Sequence, residues 1–130
     1  MSEAARPDLD LFARPVSAVL LWGVPLVALV VTGIAPVGMT ARTITWTIAL
    51  ASAGFACLVN ARGSGRLHCH MTGPFYLLLA LASSLHGTGA LPLGSHGWTS
   101  IGLVLVVGSV LTLVPERILG KYGRGRAGCC

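Results

Sequence analysis

Residues 67–115, LHCHMTGPFYLLLALASSLHGTGALPLGSHGWTSIGLVLVVGSVLTLVP, contain no Asp, Glu, Lys or Arg over 49 positions. A membrane-spanning helix needs about 20 mainly apolar residues, so this run holds either one very long span or two. Its middle carries the break: His86-Gly-Thr-Gly89 through Pro92, Gly94, Ser95, His96 and Gly97 has turn composition. Two spans are therefore expected here, Pro74–Ala90 and Trp98–Val114. Pro74 suits a helix start, and Pro115 is expected to end the last span.

Two further charge-free runs lie upstream, Pro15–Ala41 (27 residues) and Thr43–Ala61 (19 residues). Each is long enough for one span, read as Val16–Pro36 and Thr43–Val59. Pro25 falls inside the first and is expected to kink it. The 27-residue run exceeds a signal peptide's apolar core of 7–15 residues, and three acids precede it. It reads as a permanent helix. The expected fold is an all-α membrane protein with four transmembrane helices over 16–114, a short N-terminal segment 1–15 and a basic tail 115–130.

The composition agrees. Of 130 residues 54% are hydrophobic and 10% charged, where a soluble domain carries about 25% charged residues. Disorder is excluded by the same figures.

Lys and Arg mark the cytoplasmic side of short loops. Four spans put Arg6, Arg14, Arg62, Arg66, Arg117, Lys121, Arg124 and Arg126 on one side, and Arg42 alone on the other. Both termini and the Asn60–Thr72 loop are thus expected to be cytoplasmic, in a multi-pass inner (plasma) membrane protein. The net charge of +5 reflects topology, because no basic face with interleaved aromatics points to nucleic acid.

This orientation puts all four cysteines, Cys57, Cys69, Cys129 and Cys130, at a reducing face. Disulfides are disfavoured there, and soft-metal binding or redox chemistry becomes the functional reading. Cys57 ends a stripe, Ala49, Ala53, Cys57, whose four-residue spacing lets helices approach; it is a packing residue or a ligand. Cys69 lies in the loop Asn60-Ala-Arg-Gly-Ser-Gly-Arg-Leu-His-Cys-His-Met-Thr-Gly-Pro74. Arg62, Arg66, His68 and His70 surround it, and cations beside a helix start favour thiolate. In a strand, His68, Cys69 and His70 could not all face one ion, so Cys57 across the hairpin is the expected partner. The bland reading has Arg and His anchoring the loop at lipid head groups.

Cys129 and Cys130 end a basic, glycine-rich tail. The candidate metal-ligating set is Cys57, Cys69, Cys129 and Cys130, supported by His68, His70, Arg62 and Arg66. On the other side, His86 and His96 flank the turn and could form an outer metal-capture point or a plain interfacial turn. Trp22, Trp46 and Trp98 read as interfacial or packing aromatics.

Several functions are excluded or left without support. No Asp or Glu lies inside a span, which removes small proton-coupled multidrug exporters. There is no Cys-x-x-Cys, Walker loop, Gly-x-Ser-x-Gly or His-Glu-x-x-His, and the chain is not expected to be an enzyme.

In size, span count and its terminal Cys129-Cys130, the chain resembles the small bacterial mercuric-ion and organomercurial uptake proteins. It departs from them in lacking a cysteine pair in the first span. The Asn60–Pro74 segment also resembles a motif of small prokaryotic membrane proteins without assigned activity. The mercury resemblance implies Hg(II) as the transported ion, passed between thiolates to a cytosolic acceptor such as a mercuric reductase, with no resident cofactor. Two alternatives stand beside it: an accessory membrane subunit docking a partner or lipid through its Arg/His loop, and a membrane thiol redox protein using Cys57 and Cys69.

Overall fold

The computed structural model describes residues 14–64 and 67–119, and these are helices and their short connections, with no strand. Four helices follow in order: α1 (Pro15–Ile34), α2 (Met39–Ser64), α3 (Leu67–Gly87) and α4 (Gly97–Leu119). The terminal segments 1–13 and 120–130 lie outside the described residues, including most of the expected N-terminal segment and basic tail.

In α1 the disruption expected at Pro25 takes the form of a π turn. Residues Val19–Gly23 wind with the wider repeat between Pro15–Ala18 and Val24–Ile34. Proline has no N–H, and its ring collides with the carbonyl four residues earlier, here that of Leu21. A π turn directly before the proline widens the helix where room is needed.

Helix α2 is longer than the expected Thr43–Val59 at both ends. It includes Arg42, because that side chain folds back onto the end of α1 instead of seeking water. Arg42 Nε donates to Thr32 O at 3.0 Å and Nη2 to Ala35 O at 3.1 Å. A cation on the last carbonyls of a helix satisfies orphan acceptors and complements the helix dipole.

The expected Asn60–Thr72 loop is corrected. Asn60–Ser64 continues α2, and α3 already begins at Leu67, so His68, Cys69 and His70 are helical. Pro74 then sits inside α3 rather than at its start. Only Gly65 and Arg66 lie between the two helices, outside the described residues. Polar residues do not break a helix when a neighbouring helix satisfies them, and several here pack against α2.

The turn between α3 and α4 agrees with the sequence reading. Gly89 and Gly94 take φ of +80° and +72°, the left-handed region where only glycine is free of Cβ strain. Helix α4 runs on through Pro115 to Leu119, although its apolar part ends at Pro115.

Helices α2 and α3 form the centre as an antiparallel hairpin paired along its length. Thr43 lies against Gly87, Gly54 against Gly73, and Asn60 against Cys69. A Cβ on Gly54 would stand 3.0 Å from Gly73 O, so small residues set the spacing, as in close-packed membrane helices. The Ala49, Ala53, Cys57 stripe is buried, as expected. Helix α4 packs on α3 through Thr72–Thr112 and Tyr76–Ser109 hydroxyl pairs at 2.9 and 3.0 Å. Helix α1 packs on α2, where Trp46 Nε1 donates to Thr32 Oγ1 at 3.2 Å.

Three of the helices are long and apolar enough to cross a membrane: Pro15–Ile34, Met39–Gly63 and Gly97–Pro115. This marks a membrane protein. Leucine and valine side chains cover the outward faces of α1 and α4, which suits lipid rather than water. The 21-residue α3 is not among the three. Its polar residues lower its hydropathy, but His68, Thr72, Ser83 and His86 are buried against the neighbouring helices. The sequence treats these residues as a cost to insertion; the fold turns them inward.

Candidate dithiol site

At the end of the hairpin near Gly63 and Leu67, three helices meet at two sulfurs. Cys57 ends the small-residue stripe of α2, and Asn60 follows one turn later on the same face. Cys69 comes from the first turn of α3. Trp22 reaches in from the π turn of α1. Cys57, Ala61 and Cys69 form a buried cluster with Trp22 packed against it.

The two thiols lie side by side in this cluster. Each sulfur also meets nitrogen: Trp22 Nε1 donates to Cys57 Sγ at 3.2 Å, and Asn60 Nδ2 donates to Cys69 Sγ at 3.5 Å. His68 Nε2 lies 3.4 Å from Cys69 Sγ. Cys57 is 1% exposed and Cys69 fully buried. The site is therefore a shielded dithiol whose sulfurs face N–H donors, and N–H donation stabilises sulfur that carries negative charge.

The sequence-based pairing of Cys57 with Cys69 matches this geometry. The expected surroundings of Cys69 do not. A reactive thiolate sits in an electropositive, partly exposed place, whereas Cys69 is enclosed. Arg62 and His70 are exposed, pointing away from a buried sulfur. The helical winding that replaces the loop explains this, since consecutive side chains on a helix point about 100° apart. His68 and Cys69 share the site while His70 turns outward.

Arg66, Cys129 and Cys130 lie outside the described residues. Among the described residues, no group of three or more His, Cys, Asp or Glu side chains could hold a metal ion. What remains is a two-sulfur site.

Asn60 and Trp22 were missed as site residues. Asn60 had a usable signal: it stands three residues after Cys57 and so shares its face. Trp22 had none, because 35 residues separate it from Cys57 and an indole near a membrane surface has an ordinary explanation.

The suggested outer pair is not assembled. His86 is buried, its Nδ1 3.1 Å from Leu91 O and its ring 5.2 Å from that of Trp98. His96 is exposed beside Ser95. A Cβ at Gly97 would collide with the His86 ring, so His86 closes the α3–α4 turn by packing. Neither a known protein family, nor a curated protein, nor a solved structure matches the chain.

Proposed function

We propose that the chain takes up a soft metal ion, Hg(II) in the first place, across the inner membrane and holds it between Cys57 and Cys69. The observation that carries this reading is the buried pair of thiols, Cys57 and Cys69, brought together in one cluster. Soft d10 ions prefer thiolate ligands, and two suffice for a two-coordinate ion. Each thiol gives up its proton on binding, and the Trp22 and Asn60 N–H groups compensate charge on the sulfurs. An incoming thiolate exchanges with a bound one without releasing the ion. Cys129 and Cys130 are the thiols proposed to receive it, with a cytosolic acceptor such as a mercuric reductase beyond them.

Four spans with cytoplasmic termini are part of the proposal. Helix α3 pairs with α2 from Thr43–Gly87 to Asn60–Cys69, so it runs the depth that α2 runs. Its buried polar residues meet protein, which is how polar groups are accommodated in a membrane. Reporter fusions after residue 64 and after residue 119 test this. Opposite sides for the two fusions would leave only three spans.

The deciding experiment is uptake of labelled Hg(II) by cells expressing the wild type or the Cys57→Ser/Cys69→Ser double variant. The proposal expects uptake to fall to the level of cells without the protein. Equal uptake overturns it. The same thiol contact favours a second reading, redox chemistry, in which both thiols oxidise to one disulfide and two electrons and two protons pass to an acceptor. A Cys57–Cys69 disulfide trapped from growing cells, with unchanged Hg(II) uptake, would establish that reading instead.

A further inference from the structure

A cavity of about 760 Å³ runs along the open side of the hairpin and shares Trp22 with the dithiol site at one end. Its walls are α1 and α4, which pack on α2 and α3 respectively and make no extended contact with each other. Leu50, Ala53 and Tyr76 form its floor. On α4 the lining runs from Thr99 to Val110, a rise of about 16 Å at 1.5 Å per residue. That is about half of a 30 Å hydrocarbon layer, the depth of a single leaflet.

One end of this otherwise apolar groove carries a charge. Arg42 lines it, with its guanidinium 6.0 Å from the Trp98 ring centroid. Two of its five N–H donors go to Thr32 O and Ala35 O. Among the described residues no carboxylate lines the cavity, and the chain's four acids, Glu3, Asp8, Asp10 and Glu116, are remote from Arg42 in sequence. The groove thus offers a cation at the interface and an apolar slot one leaflet deep beneath it. Between the exposed faces of α1 and α4 it opens sideways, toward lipid.

We infer that the groove binds one acyl chain of an anionic phospholipid, with the lipid's phosphate held at Arg42. The charge at one end selects the head group, and the sideways opening admits a molecule already in the bilayer. Pockets of 300–1,000 Å³ with a few placed polar groups are of ligand-binding size. The inference is independent of the fate of the thiols.

All three tryptophans, Trp22, Trp46 and Trp98, line the groove, so a chain seated in it quenches their emission if it carries bromine. The full chain is placed in phosphatidylcholine nanodiscs doped with brominated-chain phosphatidylglycerol or brominated-chain phosphatidylcholine. Phosphatidylglycerol is expected to reach half-quenching at an about fivefold lower mole fraction, the order expected of one basic residue facing an anionic lipid. Arg42→Gln should abolish that preference. Because Arg42 also caps α1, Val106→Phe provides a second arm: Val106 is an exposed groove wall, and filling the slot should remove the phosphatidylglycerol preference with Arg42 in place. Equal quenching by the two head groups, or an unchanged preference in Val106→Phe, overturns the inference. So does a brominated free fatty acid that quenches at lower mole fraction than phosphatidylglycerol. A crosslinked dimer that shuts the groove to every brominated lipid assigns it to a second copy instead, and also overturns it.

Discussion

Cys57 and Cys69, twelve residues apart on antiparallel helices, share one buried cluster while each sulfur faces an N–H donor from a different residue. Thiols in contact on facing helices have the approach that a disulfide needs. In a Cys129→Ser/Cys130→Ser background, mild oxidation of the purified protein should therefore give an intramolecular Cys57–Cys69 disulfide, seen as a loss of two alkylatable thiols under denaturing conditions. One equivalent of Hg(II) added first should block the oxidation. Full alkylation after oxidant, without Hg(II), would contradict the geometry.

Trp22 is the reporter for the same site. Replacing it with Phe keeps most of the ring packing and removes only the N–H that reaches Cys57 Sγ. A hydrogen bond of this kind contributes about 1 kcal/mol, so Trp22→Phe should lower unfolding stability by about that amount. Hg(II) bound between the sulfurs should quench the Trp22 part of the emission and leave Trp46 and Trp98. Equal fractional quenching in the wild type and Trp22→Phe would place the ion elsewhere.

The sequence made the centre of this arrangement readable and hid its rim. Charge-free runs mark the helices because charge is excluded from hydrocarbon, and the Ala49, Ala53, Cys57 stripe marks the packed face because close approach demands small residues. Both are local patterns. The Asn60–Thr72 segment misleads for a physical reason: Arg, Gly and His suggest a turn, but His68, Cys69 and Asn60 find partners across the hairpin and stay helical. Arg42 misleads similarly, since nothing in the sequence shows that α1 ends within its reach. Trp22 meets Cys57 only because α1 leans on α2, and one sequence carries no record of that.

The glycines divide by what surrounds them. A Cβ at Gly73 would lie 2.7 Å from Leu58 Cδ2 and 3.2 Å from Gly54 O. The leucine tip can yield, but the backbone carbonyl of a paired helix cannot yield easily. Gly73→Ala should therefore separate α2 from α3 and destabilise by about 1–3 kcal/mol, the usual range for overpacking. At Gly102 the nearest atom to a new Cβ is Trp46 Cη2 at 3.4 Å, an ordinary contact. Gly102→Ala should be neutral or slightly stabilising, through its better helix propensity. Thermal unfolding of both variants in one detergent checks the contrast, and similar losses would contradict it.

Two hydroxyls inside the bundle test whether buried polarity stabilises α3. Ser83 is fully buried and its Oγ has no hydrogen-bond partner among the described residues. A buried hydroxyl without a partner is unfavourable, so Ser83→Ala should leave stability unchanged or raise it. Thr72 is also buried, but its Oγ1 donates to Thr112 Oγ1 at 2.9 Å, and Thr112 donates onward to Ser109 O at 2.9 Å. Thr72→Val keeps the shape and removes the first donor of that chain. Because interhelical hydrogen bonds in membranes average about 0.6 kcal/mol, the loss should be of that size. Thr112→Val, which removes both bonds, should cost more, while Ser83→Ala does not destabilise. If Ser83→Ala destabilises as much as Thr112→Val, Ser83 has a partner within the membrane that this packing does not supply.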